Sequence, residues 1–325
     1  MMHRFLNRKK RDSVLYHAVS SYQLLAALLH RITYHPTCRA VLILPDFITR
    51  KYPNYKSLTE FFDAVYLFPY LHIPHSSEHQ VLADVERCCR ERIPDRIGRF
   101  GRIYVAGAHF YFSLYLIRHA IPFAMMEDAA GLISRPDDLY RPLLKKFPLH
   151  AQIAQKYGLF DGSNECIEQI LCLKGAQTID VSGPKYVDFC PEDLLAGMTE
   201  AKRERVIHFF IREAIPTDAQ AVLLTQHFAG LGMMTQQEQE DLYRSLAVHA
   251  LRGIRLIVKP HPDDTLDYTG IFPGAQIIRT IFPSELLPYV LHPKPEYLYA
   301  FDSTGCENLA KHFIIKRIGR DQQHD

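Results

Sequence analysis

The sequence is marked first by what it lacks. No run of about 18 consecutive apolar residues occurs, so no transmembrane helix is encoded. No C-x-x-C pair occurs either: the seven cysteines, Cys38, Cys88, Cys89, Cys166, Cys172, Cys190 and Cys306, are scattered. An odd, unpatterned set in 325 residues argues for reduced thiols in a cytosolic protein, and against a zinc site despite seventeen histidines. An excess of one charge is also missing. The 38 basic and 36 acidic side chains leave a formal net charge of +2, too small for a strong polyanion-binding field. Basic residues interleaved with aromatics form no nucleic-acid motif, so no nucleic-acid partner is expected. Neither G-x-x-x-x-G-K-[ST] nor G-x-G-x-x-G is present, which excludes the standard phosphate-cradling loops. The absence of G-x-S-x-G removes support for a hydrolase built on that elbow. No internal repeat or low-complexity segment appears.

What is present is an ordinary globular composition, 47% hydrophobic and 23% charged. At roughly one domain per 150 residues, two domains are expected. Arg4, Arg8, Lys9, Lys10 and Arg11 make the start basic. The apolar run Leu24 to Leu29 that follows is preceded by Tyr16-His17 and Ser20 to Gln23, and no small-residue cleavage site succeeds it, so no signal peptide is expected here. The basic cluster reads either as a solvated lead-in to the first strand or as a peripheral contact with anionic lipid, worth about 1 kcal/mol per residue. The expected location is cytoplasmic, with peripheral attachment to the inner face of the membrane under the second reading.

Short β-rich runs alternate with helical patterns, as parallel α/β construction requires. Strands are expected at residues 13–19, 40–44, 64–68, 102–106, 122–126, 221–224, 255–258, 276–278 and 297–300. Helices are expected at 22–32, 78–92, 138–157, 194–211 and 236–251. The glycine-rich stretch 158–191 suits a hinge or crossover. The expected fold is therefore α/β, two Rossmann-like parallel-sheet domains facing a central cleft, with a division into 1–175 and 176–325.

In open parallel sheets, ligands bind beyond the carboxyl ends of the strands. Four such places are polar. Glu127-Asp128 follows the strand ending at Met126; paired carboxylates raise at least one pKa on burial and suit proton abstraction, while Asp128 alone would also serve as a helix cap. Lys259-Pro260-His261-Pro262 follows the strand ending at Val258. Proline on both sides fixes His261, the residue type that carries a proton near neutral pH, beside a lysine cation. The alternative is a stiff turn with an incidental histidine. Asp302-Ser303-Thr304-Gly305 combines two hydroxyls with a helix start, suiting either an anion or plain capping. Glu285 follows Ser284 on a first helical turn, where glutamate is usually a capping partner.

In this order, these segments resemble the bacterial sialyltransferases, the lipooligosaccharide sialyltransferase and polysialyltransferase families. Those families carry an acidic pair followed by glycine, a His-Pro and a Ser-Ser or Ser-Thr pair on a two-domain GT-B fold. Glu127-Asp128-Ala129, Lys259-Pro260-His261-Pro262 and Ser303-Thr304 look like the three motifs. Glu285 lies where the family places a nucleotide-binding glutamate. Leu223-Leu224-Thr225-Gln226 is similar to the segment opening its nucleotide-binding domain. The resemblance implies an inverting transfer of sialic acid, or a related nonulosonic acid, from a CMP-sugar donor to a glycan acceptor of surface polysaccharide or lipooligosaccharide. It implies no metal or other cofactor. Glu127 would be the general base, with Asp128 supporting or replacing it, and His261 the general acid toward the leaving phosphate. Ser303 and Thr304 would hold that phosphate, and Lys259, Pro260, Glu285, Thr225 and Gln226 would line the nucleotide site. Ala129 departs from the motif glycine, and alanine resists a positive φ. Other GT-B capsule enzymes, of Kdo-transferase or teichoic-acid-polymerase type, and a catalytically silent GT-B scaffold subunit are the competing readings.

Overall fold

The computed structural model describes residues 12–74, 76–301 and 305–319. The basic residues at 4–11 lie outside them. The chain divides into two compact units, Met1–Phe209 and Phe210–Asp325.

The first unit is built on seven parallel strands: β1 (Ser13–His17), β2 (Arg39–Pro45), β3 (Ala64–Phe68), β4 (Arg102–Ala106), β5 (Phe123–Met126), β6 (Ile167–Cys172) and β7 (Tyr186–Asp188). Their order is β3-β2-β1-β4-β5-β6-β7. The central strands are apolar without alternation, since a parallel sheet covered on both faces buries both sets of side chains; Ala40 to Leu44 are all fully buried. Leu15 sits between Val41 and Ile103, and Ala106 beside Met126, so the carboxyl ends of β1, β4 and β5 come level. The order reverses between β1 and β4, the topological switch at which such sheets bind ligands. Ser20 caps the helix Ser21–Tyr34 that follows β1, in a reciprocal capping box with Gln23.

The second unit carries a five-stranded parallel sheet of β9 (Ala221–Leu224), β10 (Leu256–Lys259), β11 (Gln276–Ile277), β13 (Tyr297–Ala300) and β14 (Ile314–Arg317). Its order is β11-β10-β9-β13-β14, with the switch between β9 and β13. A separate pair joins β8 (Ile215–Pro216) and β12 (Leu291–His292). Its core gathers Leu223, Val258, Tyr243, Tyr268 and Phe301. Burying side chains of this size contributes about 1.5–3 kcal/mol each.

Two expectations are corrected. The division falls at 209/210 and not at 175/176, because 158–191 is no simple crossover: it supplies β6 and β7, which pair onto β5 and extend the first sheet. The helix expected over 194–211 is two helices, Pro191–Gly197 and Glu200–Phe210, separated by Met198 in an extended conformation. All seven cysteines are free thiols. Among the described residues, no helix is long and apolar enough to cross a membrane.

Candidate functional site

In the first unit, polar side chains gather at the ends of β1, β4 and β5. Glu127 and Asp128 are neighbours in sequence and have separate surroundings. Glu127 is buried and fully engaged. Its Oε1 accepts hydrogen bonds from the Ile133 amide at 3.2 Å and from Gln177 Nε2 at 2.7 Å, and its Oε2 accepts from the Leu173 amide at 3.1 Å. Burial pushes its carboxyl above the usual carboxylate range, opposed by those three donors. Glu127 thereby ties the loop after β5 to the end of β6.

Asp128 instead meets side chains from two other elements. The Gln23 side-chain amide, on the first turn of the helix Ser21–Tyr34, donates to Oδ1. His109, on the loop after β4, lies with Nδ1 at 3.1 Å from Oδ2. An ionised carboxylate only accepts, so Nδ1 carries the proton of this bond. The two side chains are 10% and 6% exposed for His109 and Asp128. The His109 ring stacks on Phe160 with centroids 5.6 Å apart, and its backbone carbonyl accepts a hydrogen bond from His150 Nε2 at 2.7 Å.

His17, at the end of β1, is nearby in the sheet but is committed elsewhere. Its Nδ1 donates to the Ala106 carbonyl at 2.9 Å and its Nε2 accepts from the Tyr70 hydroxyl at 2.8 Å. Burial holds its pKa down to about 4, so it stays neutral. The left-handed residue of the acidic loop is Gly131, at φ +83°, and an added Cβ there would lie 2.9 Å from the Ala176 carbonyl oxygen. Ala129 is not among the positive-φ residues. Ala129 therefore carries no left-handed backbone strain.

In the second unit, Lys259 ends β10 as a buried cation. Its Nζ lies 4.5 Å from the Phe282 ring centroid. Burial lowers its pKa to about 8, with Glu285 pulling the other way. Glu285 is also buried and accepts a hydrogen bond from Asn308 Nδ2 at 3.1 Å. His261 is partly exposed, and the Asp263 amide donates to its Nδ1 at 3.2 Å. In the neutral ring the proton then sits on Nε2. Thr225, expected to line a nucleotide site, braces the histidine: its Oγ1 accepts the His261 amide at 3.0 Å. The Gln226 backbone is clamped by Tyr243, whose hydroxyl donates to the Gln226 carbonyl at 3.0 Å. A cavity of about 240 Å³ opens beside this loop, lined by Lys259, Pro260, His261, Tyr268, Arg279 and Thr280 among others. Ser303 and Thr304 lie outside the described residues. Among the described residues, no three His, Cys, Asp or Glu side chains are placed to share a metal ion.

Three residues of these sites escaped the sequence reading. Gln23 and His109 approach Asp128 from other elements. His227 stacks parallel to His261, with ring centroids 4.8 Å apart and planes 5° from parallel. An added Cβ at Gly230 would fall 1.7 Å from His227 Nε2, so only glycine leaves room for that ring. Available signals were the Ser20-x-x-Gln23 capping pattern, the position of His109 just past the end of β4, and that of His227 just past the end of β9.

No family model matches the chain. An uncharacterised protein of Haemophilus influenzae is 33% identical over 66 residues, which are 20% of this chain and 21% of that protein. The match thus spans about a fifth of the curated relative. Among solved structures, a glycotransferase of kitacinnamycin is similar over 95% of this chain and 81% of its own, with 12% identity and a TM-score of 0.53. UGT71G1 of Medicago truncatula, solved with UDP-glucose, covers 95% of this chain and 80% of its own at 11% identity and a TM-score of 0.49. At such identities the likeness is one of fold. The two Rossmann-like parallel-sheet units are those of the GT-B class.

Proposed function

We propose that the protein is an inverting glycosyltransferase that moves sialic acid, or a related nonulosonic acid, from a CMP-sugar to a glycan acceptor of surface polysaccharide or lipooligosaccharide. The observation that carries this reading is His261 at the end of β10, beside the buried Lys259 cation, with Nδ1 occupied by the Asp263 amide. A ring so held presents its proton at Nε2, as a leaving phosphate needs. The order of the acidic pair, His-Pro and Ser-Thr segments supports the CMP-linked donor. The cavity lined by Lys259, Pro260 and Arg279 suits the nucleotide, with the buried Glu285 carboxylate acting on Lys259.

In this reading the acceptor oxygen attacks the anomeric carbon as the bond to the CMP phosphate breaks. His261 protonates the departing phosphate, and Lys259, with Ser303 and Thr304, neutralises its charge. A sialyl donor is already disposed to an oxocarbenium-like state, so positioning and charge neutralisation carry most of the catalysis, and no metal is invoked. The location in this reading is the cytoplasm, with the basic segment either solvated or in peripheral contact with anionic lipid.

Calorimetric titration with CMP, CDP, UDP and GDP tests the reading, followed by transfer from CMP-sialic acid to a glycan panel. Selective CMP binding, weakened in Ser303→Ala/Thr304→Ala, is expected. Tight UDP or GDP binding with CMP ignored overturns the donor assignment and favours another GT-B capsule enzyme. Binding of none favours a silent scaffold subunit.

A further inference from the structure

We infer that His109, oriented by Asp128, is the base that deprotonates the acceptor hydroxyl, and that Glu127 is a brace rather than a base. The inference rests on the transferase reading above and assigns the acceptor half of that reaction.

The oxygens of Glu127 are poorly disposed to take up the acceptor proton. Three donors already occupy them, two being backbone amides fixed by the fold. A carboxylate that took up the acceptor proton would weaken all three bonds in every turnover. Asp128 is little better placed: Gln23 holds one oxygen and His109 the other. The chain of contacts ends at the imidazole. Nδ1 is bonded to the carboxylate, and Nε2 makes no hydrogen bond among the described residues. That is the tautomer in which Nε2 offers a lone pair, with a carboxylate behind the ring to stabilise the imidazolium that forms. The ring is also held in place by its stack on Phe160 and by the His150 bond to its carbonyl. His17 cannot substitute, since both of its nitrogens are committed.

The step balances. The acceptor oxygen forms its bond to the anomeric carbon and its proton passes to His109 Nε2. The bond from that carbon to the phosphate oxygen breaks, and the phosphate keeps the electron pair and takes a proton from His261. Asp128 neither gains nor loses a proton in this step and is a positioning residue.

The test uses the full chain with CMP-sialic acid and a glycan panel. His109→Ala and His109→Gln are expected to lower kcat by about 10²–10⁴-fold, with CMP binding retained by calorimetry and added imidazole restoring part of the rate in His109→Ala. Asp128→Asn is expected to lower kcat with both KM values little changed, and Asp128→Glu to recover part of it. Nitrogen-15 NMR of the wild-type ring is expected to show Nδ1 protonated and Nε2 bare at neutral pH. The opposite tautomer overturns the inference whatever the activity. So does full transfer by both His109 variants, or a 10²–10⁴-fold loss in Glu127→Gln while His109→Ala still transfers. A wild-type chain that binds no CMP, or transfers to no glycan of the panel, overturns the functional reading and this inference with it.

Discussion

The two units each carry a histidine just past a strand end, and the two rings are set in opposite senses. In the first unit, His109 donates a hydrogen bond from Nδ1 to Asp128, which leaves Nε2 as a lone pair. In the second, His261 takes a backbone N–H at Nδ1, which leaves Nε2 as a donor. The Nδ1 neighbours differ: a carboxylate in one case, a peptide amide in the other. The proposed base and acid roles rest on that contrast in hydrogen-bond partners.

The largest expected effect comes from breaking the acid. His261→Ala should lower transfer by about 10²–10⁴-fold. A donor whose leaving group needs no proton should restore that rate, and should not rescue His109→Ala. Steady-state kinetics with paired donors checks both, and equal rescue would erase the contrast between the histidines.

Lys259→Met comes next. Losing one charge-assisted contact to phosphate costs about 1.5–3 kcal/mol, or roughly 10–150-fold in CMP affinity by calorimetry. The pH dependence has a definite sign. The folded-state pKa of Lys259 is lowered to about 8, so CMP affinity should fall as pH rises through that value. An unfolded lysine titrates near about 10.4. Between these values the unfolded chain holds the extra proton, so the Lys259 contribution to stability should rise with pH there, opposite to affinity. Denaturant unfolding at several pH values tests this.

Gly131→Ala attacks the support of the first site. Its positive φ and the nearby Ala176 carbonyl should make it destabilising by about 1–3 kcal/mol in chemical denaturation. Thr225→Val attacks the support of the second. Removing the acceptor of the His261 amide should cost about 1–2 kcal/mol of stability and only a few-fold in rate, the smallest effect of the series.

Much of this architecture was legible in the sequence, because buried parallel strands announce themselves as unbroken apolar runs. β2 and β10 are examples, and Asp128, Lys259 and His261 were visible as polar residues directly after such runs. β6 was hidden because exposed Glu168 and Gln169 interrupt it, and β7 because it has three residues. Missing those two strands moved the expected domain division. The sequence also presented Glu127 and Asp128 as one pair, whereas each carboxylate meets different partners. His109 is 19 positions before Asp128, and only the parallel pairing of β4 with β5 brings their loops together. No spacing rule along the chain encodes that meeting.

The brace made by Glu127 has a dynamic consequence. The amides of Ile133 and Leu173 are forty residues apart, yet both are protected by the oxygens of one carboxylate. Their hydrogen exchange should be correlated: an opening that frees one amide by moving the Glu127 side chain frees the other. Protonating that carboxyl should loosen both sites together, so the ends of β5 and β6 fluctuate as one cooperative segment.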